Sequence, residues 1–367
     1  MARVKTAALV SAFPLYTGTT NVVLDYRRAL SELGFDVLLY QLYIPDDGLD
    51  YPKADVMIRG YRIATHAISL PLNLLFHFPR AIGTLNEDLV ILTDPVLLPV
   101  KNKNPDAILL LHDLRDLSEY SKNPMRKFFF KYLLRFIRSG DKILALSQYS
   151  LEALRRHCKA DIAAQVVGGC SPLVPNPEKL YDKISMSGIP KDVYRVIYVA
   201  ADRPYKNIRL FLKVAELIQY SYSDKRFKFV LVSKLRKETS EILRHYGLRN
   251  VEVIDHVDNI GQFYSDSDIL LYPSLIEGFG LPLVEAMAYG IPIIYSNRRP
   301  MIDIVGQYGK AIEPDLPENW VEELISLTNP DNYQRASLLS QERAKNYTFE
   351  KFKSNLSQAL NIFGFQH

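Results

Sequence analysis

The sequence of 367 residues has a single tryptophan and only two cysteines, Cys158 and Cys170. The cysteines form no Cys-x-x-Cys pair and have no histidine-rich companion, which argues against a zinc site and against a disulfide framework. We therefore expect no metal site. Free thiols are typical of a reducing compartment, and this favours a cytoplasmic protein.

Long apolar segments, internal repeats and glycine-rich nucleotide signatures are also missing. Residues 63–78 come closest to a membrane span but contain His66 and His77, and a span needs roughly 18 to 20 uncharged apolar residues. Residues 7–13 are too few for a signal peptide and are more typical of a buried strand. A Gly-x-Gly-x-x-Gly pattern after a strand and a P-loop are both absent, which disfavours dehydrogenases and nucleoside triphosphatases.

A strong excess of one charge is lacking as well. Lysine and arginine total 45 against 41 aspartates and glutamates, and the resulting net charge of +4 is too small to indicate nucleic acid as a partner. Hydrophobic residues make up 48% of the chain, enough for two compact domains with separate cores.

Apolar runs of strand length alternate with helical patterns through both halves of the chain, which predicts an α/β fold with parallel sheets. In the first half, the predicted strands and helices are residues 7–13, 21–33, 35–40, 89–93, 107–112, 125–139, 143–146 and 149–157. In the second half, they are residues 193–201, 208–220, 227–233, 237–246, 251–254, 261–265, 269–272, 291–295, 299–305 and 349–362.

The two halves are separated by residues 173–190, which are rich in proline, serine, asparagine and charge and lack periodicity. We predict a linker there. The predicted domains are residues 1–185 and residues 186–348.

The most informative segment is residues 273–295, where two carboxylates flank a glycine loop that opens a short helix. Glu277 precedes the loop and Glu285 follows it, with seven residues between them. Gly278 and Gly280 let a ligand approach the backbone closely, and Pro282 suits a first helical turn. Helix N-termini bind anions, so this loop could hold a diphosphate. A solvated loop acid and a glutamate that merely complements the helix dipole are the alternative interpretation.

This segment resembles the E-x7-E signature of retaining GT-B glycosyltransferases, especially family 4 (glycosyl transferases group 1). The resemblance implies two Rossmann-like α/β domains facing a cleft, with residues 349–367 forming a helix that crosses back to the N-terminal domain. It also implies that the C-terminal domain binds a nucleotide diphosphate sugar and the N-terminal domain the acceptor. The expected activity is hexose transfer with retention of anomeric configuration.

The resemblance implies roles for residues of the second domain. Glu285 would accept hydrogen bonds from the ribose hydroxyls, and Glu277 would contact sugar hydroxyls near the anomeric carbon. The departing diphosphate would be stabilised by N–H groups of the loop and by two cations; the residues expected there are Gly278, Phe279, Gly280, Leu281, Arg203 and Lys206. Two cations and a helix terminus could replace a metal ion, so we expect neither metal nor bound cofactor. Solvated loop cations, with Asn207 as a helix cap, are the alternative.

In the first domain, His112 and Asp113 end an apolar strand and resemble the His-Asp pair of the family. His112 would hydrogen-bond a sugar hydroxyl or the acceptor, and Asp113 would orient His112 or receive the acceptor. A structural polar group is the alternative for His112. Gly18 follows the first strand, where the family has a glycine-rich loop near the donor phosphates, although a plain turn fits equally well.

The helix predicted at residues 125–139 is basic and amphipathic. One face carries Lys127, Lys131, Arg135 and Arg138, and the other carries Phe129, Phe130, Leu133, Phe136 and Ile137. Such a helix could lie on an anionic membrane surface, which would make the protein peripheral at the inner face of the membrane and would suit a lipid-linked or glycan acceptor. The alternative is that the apolar face packs on the sheet.

Two other functions share this architecture. A sugar-nucleotide epimerase would need acid–base residues at the sugar rather than an acceptor. A non-catalytic subunit would bind the nucleotide sugar without turnover. His256 lies after a strand where the family places its base pocket, but the base, the sugar and the acceptor cannot be deduced from the sequence.

Overall fold

The computed structural model describes residues 4–12, 18–45, 54–62, 70–120, 123–171, 175, 180, 191–222 and 226–365. The chain divides into two compact units. The first contains the chain up to Cys170 together with Phe349 onward, and the second is Ser171–Thr348. The predicted boundary between residues 185 and 186 lies outside the described residues.

The first unit is built on a seven-stranded sheet in the order β3-β2-β1-β4-β5-β6-β7, and all its strand pairs are parallel. The central strands are buried apolar runs, as expected for a parallel sheet covered on both faces. The strands are β1 (Lys5–Ser11), β2 (Phe35–Tyr43), β3 (Val56–Arg59), β4 (Leu89–Leu92), β5 (Ile108–Leu111), β6 (Lys142–Ala145) and β7 (Ala163–Val166).

Five α-helices are described in this unit: α1 (Gly18–Glu32), α2 (Phe78–Ile82), α3 (Pro124–Leu133), α4 (Gln148–His157) and, at the end of the chain, α12 (Phe349–Ile362). A π-helical turn, Asn73–His77, precedes α2, and 3-10 turns occur at Pro95–Asn102, Arg115–Leu117 and Leu134–Phe136.

The C-terminal helix α12 packs within the first unit. The Phe352 ring meets the Tyr26 ring edge-on with 5.0 Å between centroids. Lys353 Nζ donates to Glu32 Oε2 at 2.7 Å, and Asn355 Nδ2 donates to the Val167 carbonyl at 3.1 Å. The end of the chain is thereby joined to α1 and to the residue that follows β7.

The second unit contains a six-stranded sheet in the order β10-β9-β8-β11-β12-β13, again with parallel pairs. Its strands are β8 (Tyr194–Val199), β9 (Phe227–Val232), β10 (Val251–Ile254), β11 (Ile269–Tyr272), β12 (Ile293–Ser296) and β13 (Lys310–Ile312). Its α-helices are α5 (Ile208–Tyr220), α6 (Lys237–Tyr246), α7 (Ile260–Ser265), α8 (Leu281–Ala288), α9 (Met301–Val305), α10 (Pro317–Ser326) and α11 (Pro330–Ala344).

The strands absent from the sequence-based prediction are β3, β7 and β13, and each lies at the edge of a sheet. Their sequences are short and leave half or more of their residues outside the core. Edge strands bury little apolar surface and so carry a weak hydrophobic pattern. The π-helical turn and α2 were also not predicted.

The basic helix differs from its prediction. Regular α-helix ends at Leu133 instead of continuing to residue 139, and a 3-10 turn follows. The apolar face of this helix packs within the first unit, because Phe130, Leu133 and Ile137 are buried in its core. Met125 and Phe128, on the opposite side, are 74% and 69% exposed. In the described residues, no helix has the length and apolarity required to cross a membrane.

Candidate active site

The candidate site of the second unit lies at the carboxyl ends of two adjacent central strands, β8 and β11, where ligands bind in open α/β sheets. The loops after these strands are tied together. Leu275 N donates to the Tyr205 carbonyl at 2.7 Å. The Tyr198 hydroxyl donates to the Lys206 carbonyl at 2.7 Å and lies 2.8 Å from Ser274 Oγ. The backbone that carries Lys206 is therefore fixed to the loop that carries Glu277.

Glu277 and Lys206 form a buried ion pair across these loops. Lys206 Nζ lies 2.5 Å from Glu277 Oε1, and the two side chains are 12% and 5% exposed. The same carboxylate oxygen accepts a second hydrogen bond, at 2.8 Å, from the Tyr272 hydroxyl. Burial, followed by the negative charge of Glu277, raises the pKa of Tyr272 well above its usual value, so Tyr272 remains a neutral donor.

The glycine loop between the two glutamates turns tightly into a helix. Gly280 takes a φ of 95°, and a Cβ there would lie 3.0 Å from Leu283 Cδ1, so the turn requires glycine. Helix α8 begins at the next residue, with Pro282 in its first turn. Phe279 anchors the loop, because its buried ring packs edge-on against Tyr347 at 5.8 Å. Pro282 has no N–H and Leu283 N donates to the Gly280 carbonyl at 2.9 Å, while the helix dipole favours negative charge in front of the helix.

Glu285 lies within α8 and is buried, yet it has a different kind of partner. The Tyr264 hydroxyl donates to Glu285 Oε2 at 2.8 Å. Tyr289 stacks on Tyr264 with ring centroids 5.9 Å apart. Burial, and then the charge of Glu285, raises the pKa of Tyr264 well above its usual value. Glu285 thus accepts a hydrogen bond from a neutral donor.

The remaining predicted residues of this unit lie nearer to solvent. Arg203 is exposed and precedes the 3-10 turn Pro204–Lys206. Asn207 is the N-cap residue of α5, as the alternative interpretation expected, but it has a φ of 51° and its side chain makes no capping hydrogen bond. His256 is exposed after β10, with Nε2 3.6 Å from Asp258 Oδ1.

An Asp-x-Asp triplet, a pattern that binds metal in other transferases, also occurs in the sequence at Asp266-Ser267-Asp268. The Asp268 carboxylate pairs with Lys191 and accepts a hydrogen bond from Arg195 N at 2.7 Å. Asp266 Oδ1 accepts a bond from Gln262 at 2.6 Å. Both carboxylates of the triplet therefore have protein partners.

In the first unit, His112 follows β5 and is buried. Its side chain hydrogen-bonds the backbone of Thr93, while its carbonyl accepts a bond from Ser150 Oγ at 3.1 Å. Burial lowers the pKa of His112 to about 4. The imidazole is consequently neutral at physiological pH and can act as a hydrogen-bonding group.

Asp113 is paired locally. Its Oδ2 lies 2.8 Å from Arg115 Nε, and its Oδ1 accepts a bond from Arg115 N at 2.9 Å. Burial opposes the charge of Asp113, but the interactions with Arg115 together lower its pKa. Gly18 opens α1 and is exposed, while residues 13–17 before it lie outside the described residues.

Several residues of these two sites were missed by sequence reasoning. Tyr272 and Tyr264 have the sequence pattern of core aromatic residues, and no neighbouring residue in the sequence indicates a carboxylate partner. Asp94 follows β4 and accepts a bond from Val96 N at 2.7 Å. Burial, together with the nearby charges of Asp113 and Asp116, raises the pKa of Asp94 to about 7. An aspartate before a proline at a strand end was the available signal for this helix cap.

Comparison with known proteins assigns the family. Residues 182–345 match the family model of glycosyl transferases group 1, and residues 16–167 match that of glycosyltransferase family 4. Together the two matches span most of the chain. The chain belongs to the group 1 glycosyltransferases of GT-B fold, which confirms the predicted family and fold class, while the retaining mechanism stays a prediction.

Individual relatives are distant. An uncharacterized glycosyltransferase of Methanocaldococcus jannaschii is 23% identical over 92% of this chain and 93% of its own. O-antigen chain mannosyltransferase B of Escherichia coli is 24% identical, over 70% of each chain. Sucrose-phosphate synthase from Thermosynechococcus elongatus has the same fold, with a TM-score of 0.77 at 18% identity over 99% of this chain and all of its own. A further structure, Anabaena HepE in complex with UDP and glucose, gives a TM-score of 0.71 at 15% identity over 98% and 100% of the two chains.

Proposed function

We propose that this glycosyltransferase moves a hexose from a nucleotide diphosphate sugar to an acceptor with retention of anomeric configuration, without a resident metal or cofactor. The observation that carries the proposal is the buried pair of Glu277 and Lys206 beside the Gly280 turn and the start of α8. This arrangement places a carboxylate, a cation and helix N–H groups together at the carboxyl edge of the second sheet. Those are the groups that a departing diphosphate and the sugar attached to it require.

Each side chain has a separate task in this proposal. Lys206 and Arg203 neutralise the charge that develops on the diphosphate, assisted by the N–H groups of Phe279, Gly280 and Leu281. Glu277 accepts hydrogen bonds from the sugar near its anomeric carbon. Glu285 accepts hydrogen bonds from the ribose. In the first unit, neutral His112 donates to or accepts from a hydroxyl of the sugar or the acceptor, beside Asp113.

The relatives suggest two donors to test first. One relative is named a mannosyltransferase, and one structure of the same fold contains UDP and glucose. GDP-mannose and UDP-glucose therefore head a panel of UDP-, GDP- and ADP-sugars.

The experiment incubates the purified protein with this panel, with and without membrane lipid extract, and follows nucleotide release and product by mass spectrometry. Acceptor-dependent release with the α-linkage of the donor preserved in the product is the expected result. Glu277→Gln should lower the rate at least about a hundredfold, because it removes a charge-assisted contact in the site. Glu241→Gln, an exposed glutamate of the same unit, is the matched control and should keep the wild-type rate. An isomerised donor without acceptor, or binding without turnover, would contradict the proposal.

We also propose that the acceptor is lipid-linked and that the exposed face of α3 contacts an anionic membrane. Met125 and Phe128 are 74% and 69% exposed one helical turn apart, and Lys131 and Arg135 are exposed as well, while Arg126 pairs with Asp116 at 2.7 Å. The sequence has no acidic residue from 122 to 140. Exposed apolar side chains within a ring of cations are the pattern of an interfacial helix.

Flotation with vesicles of phosphatidylglycerol and phosphatidylcholine tests this surface. Binding should require the anionic lipid and weaken with salt. Replacing Met125 and Phe128 by serine should reduce binding by about fivefold or more. Leu338→Ser with Leu339→Ser, which removes two exposed leucines of the second unit, serves as the control and should bind as wild type. Equal loss in both double variants would contradict a specific surface.

A further inference from the structure

Two hydrogen-bond donors of different character converge on one oxygen of Glu277. Lys206 Nζ lies 2.5 Å from Oε1 and the Tyr272 hydroxyl lies 2.8 Å from it. The family match assigns no role to Tyr272. A fully buried tyrosine at the end of a strand is typical of a core residue, but the Tyr272 hydroxyl also donates a hydrogen bond to the Glu277 carboxylate.

The two donors differ in how freely they can leave the carboxylate. Tyr272 ends β11, is fully buried, and packs edge-on against Tyr198 with ring centroids 5.4 Å apart. Its hydroxyl is therefore fixed by the sheet. Lys206 has a four-carbon side chain, and the Tyr198 hydroxyl holds only its backbone carbonyl. The ammonium group can turn while the loop stays in place.

The proposed function requires Lys206 to interact with the diphosphate as well as with Glu277. If Lys206 is to contact a diphosphate, its ammonium must be shared with or given up by Glu277. A carboxylate that is 5% exposed and loses a donor is strongly disfavoured, because buried charge needs hydrogen bonds. A second, immobile donor on the same oxygen would lower that cost.

We propose that Tyr272 is a positioning residue that holds Glu277 in place when Lys206 turns to the diphosphate of the donor. This inference rests on the proposed function and assigns separate roles to the two donors. Lys206 serves the leaving group, while Tyr272 keeps the carboxylate directed at the sugar. Tyr198 keeps the Lys206 backbone fixed, so that only the side chain has to move.

The test is a double-mutant cycle on nucleotide binding, measured by calorimetry with UDP, GDP and ADP. Tyr272→Phe should weaken binding of the preferred diphosphate by about tenfold, since the hydrogen bond stabilises the Glu277 charge more in the bound state, where Lys206 has turned away, than in the unliganded protein, where Lys206 shares that charge. Glu277→Gln should bind that diphosphate at least as tightly as wild type, because Lys206 is released. In the Glu277→Gln background, Tyr272→Phe should have no further effect, since no buried charge remains to be held.

Tyr198→Phe is the matched control, because its hydroxyl contacts a carbonyl and Ser274 and no carboxylate. Its effect on binding should be the same in both backgrounds. A Tyr272→Phe effect of equal size with and without the Glu277 charge would show a merely structural role and overturn the inference, as would wild-type binding by the single variant. If wild-type protein bound none of the three diphosphates, the proposed function itself would fail, and this inference with it.

Discussion

Both units place a carboxylate and a cation at the carboxyl edge of their sheet, but the two pairs are made in different ways. In the second unit, Lys206 and Glu277 are 71 positions apart in the chain and are joined by folding, with exposed fractions of 12% and 5%. In the first unit, Asp113 and Arg115 are two positions apart, and their side chains are 19% and 32% exposed. A pair that depends on the tertiary fold should control both stability and activity. A local, partly exposed pair should affect stability only weakly.

The largest effect is expected at Lys206. Lys206→Met removes the cation and leaves the Glu277 charge buried, and breaking a buried pair from one side costs about 3 to 5 kcal/mol. The thermal unfolding midpoint of the variant should fall clearly, and its transferase activity should be lost. Calorimetry and the acceptor-dependent assay measure the two effects.

The double variant Lys206→Met with Glu277→Gln separates these effects. Removing the buried charge should recover most of the lost stability while activity stays absent, because the diphosphate still lacks its cation. Arg203→Gln, an exposed cation of the same loop, should lower activity with little change in the midpoint. Stability of the single Lys206 variant equal to wild type would contradict the importance of the pair.

His112 of the first unit should affect stability through pH. The pKa of His112 is near 6.5 in the unfolded chain, whereas burial lowers this pKa to about 4 in the folded chain. Stability should therefore fall as pH falls through this window, by a total on the order of 3 kcal/mol. His112→Asn, whose amide can still donate to Thr93, should lose this part of the pH dependence in urea unfolding measured between pH 7 and pH 4.

Asp94 supplies the opposite slope. The folded chain holds a proton on Asp94 up to about pH 7, whereas an aspartate of the unfolded chain has a pKa near 3.8, so this group contributes stability that is lost as pH rises through that window. Asp94→Asn should therefore stabilise the protein at pH 8 and have no effect below pH 4. If the stability of His112→Asn and that of Asp94→Asn changed with pH in the same way, the assignment of the two pKa shifts would be contradicted.

The sequence was sufficient for the fold class because buried parallel strands are continuous apolar runs. The bounds of β10, β11, α5 and α6 were predicted to the residue, and each is a strand or helix with clear periodicity or clear ends. The edge strands were not predictable in this way. Each is only three or four residues long and pairs with a single neighbouring strand, so segments such as Ala163–Val166 are too short to be distinguished from a loop.

For the site, the sequence indicated the residue types but not their partners. Glu277, Lys206 and Glu285 were each expected to contact a ligand, and the structure shows that protein groups already engage all three. The partners Tyr272 and Tyr264 come from strand and helix positions whose local pattern is only that of a core aromatic. Pairings of this kind arise from tertiary packing, which no local spacing encodes. The ligand roles themselves stay predictions.

A smaller effect is expected at Glu285, which accepts a hydrogen bond from the neutral Tyr264 hydroxyl. Glu285→Gln preserves shape and can still accept the bond from Tyr264, so the unfolding midpoint should change little. The donor KM should rise by about tenfold, because charge-assisted bonds to the ribose become neutral ones. Initial rates against donor concentration measure this, and Glu318→Gln, at the surface of the same unit, is the control. An unchanged KM would remove Glu285 from the nucleotide site.

The smallest effect is expected at Arg115, and it completes the comparison between the two pairs. Arg115→Gln removes a cation that is 32% exposed, and ion pairs near the surface contribute about 0 to 1 kcal/mol. Asp113 keeps the bond from the backbone N–H of residue 115 and can turn toward water, so its charge is not stranded. The unfolding midpoint should therefore shift far less than in Lys206→Met. A loss as large as that of Lys206→Met would mean that Asp113 is a buried charge held by tertiary structure, and the contrast between a local and a folded pair would not hold.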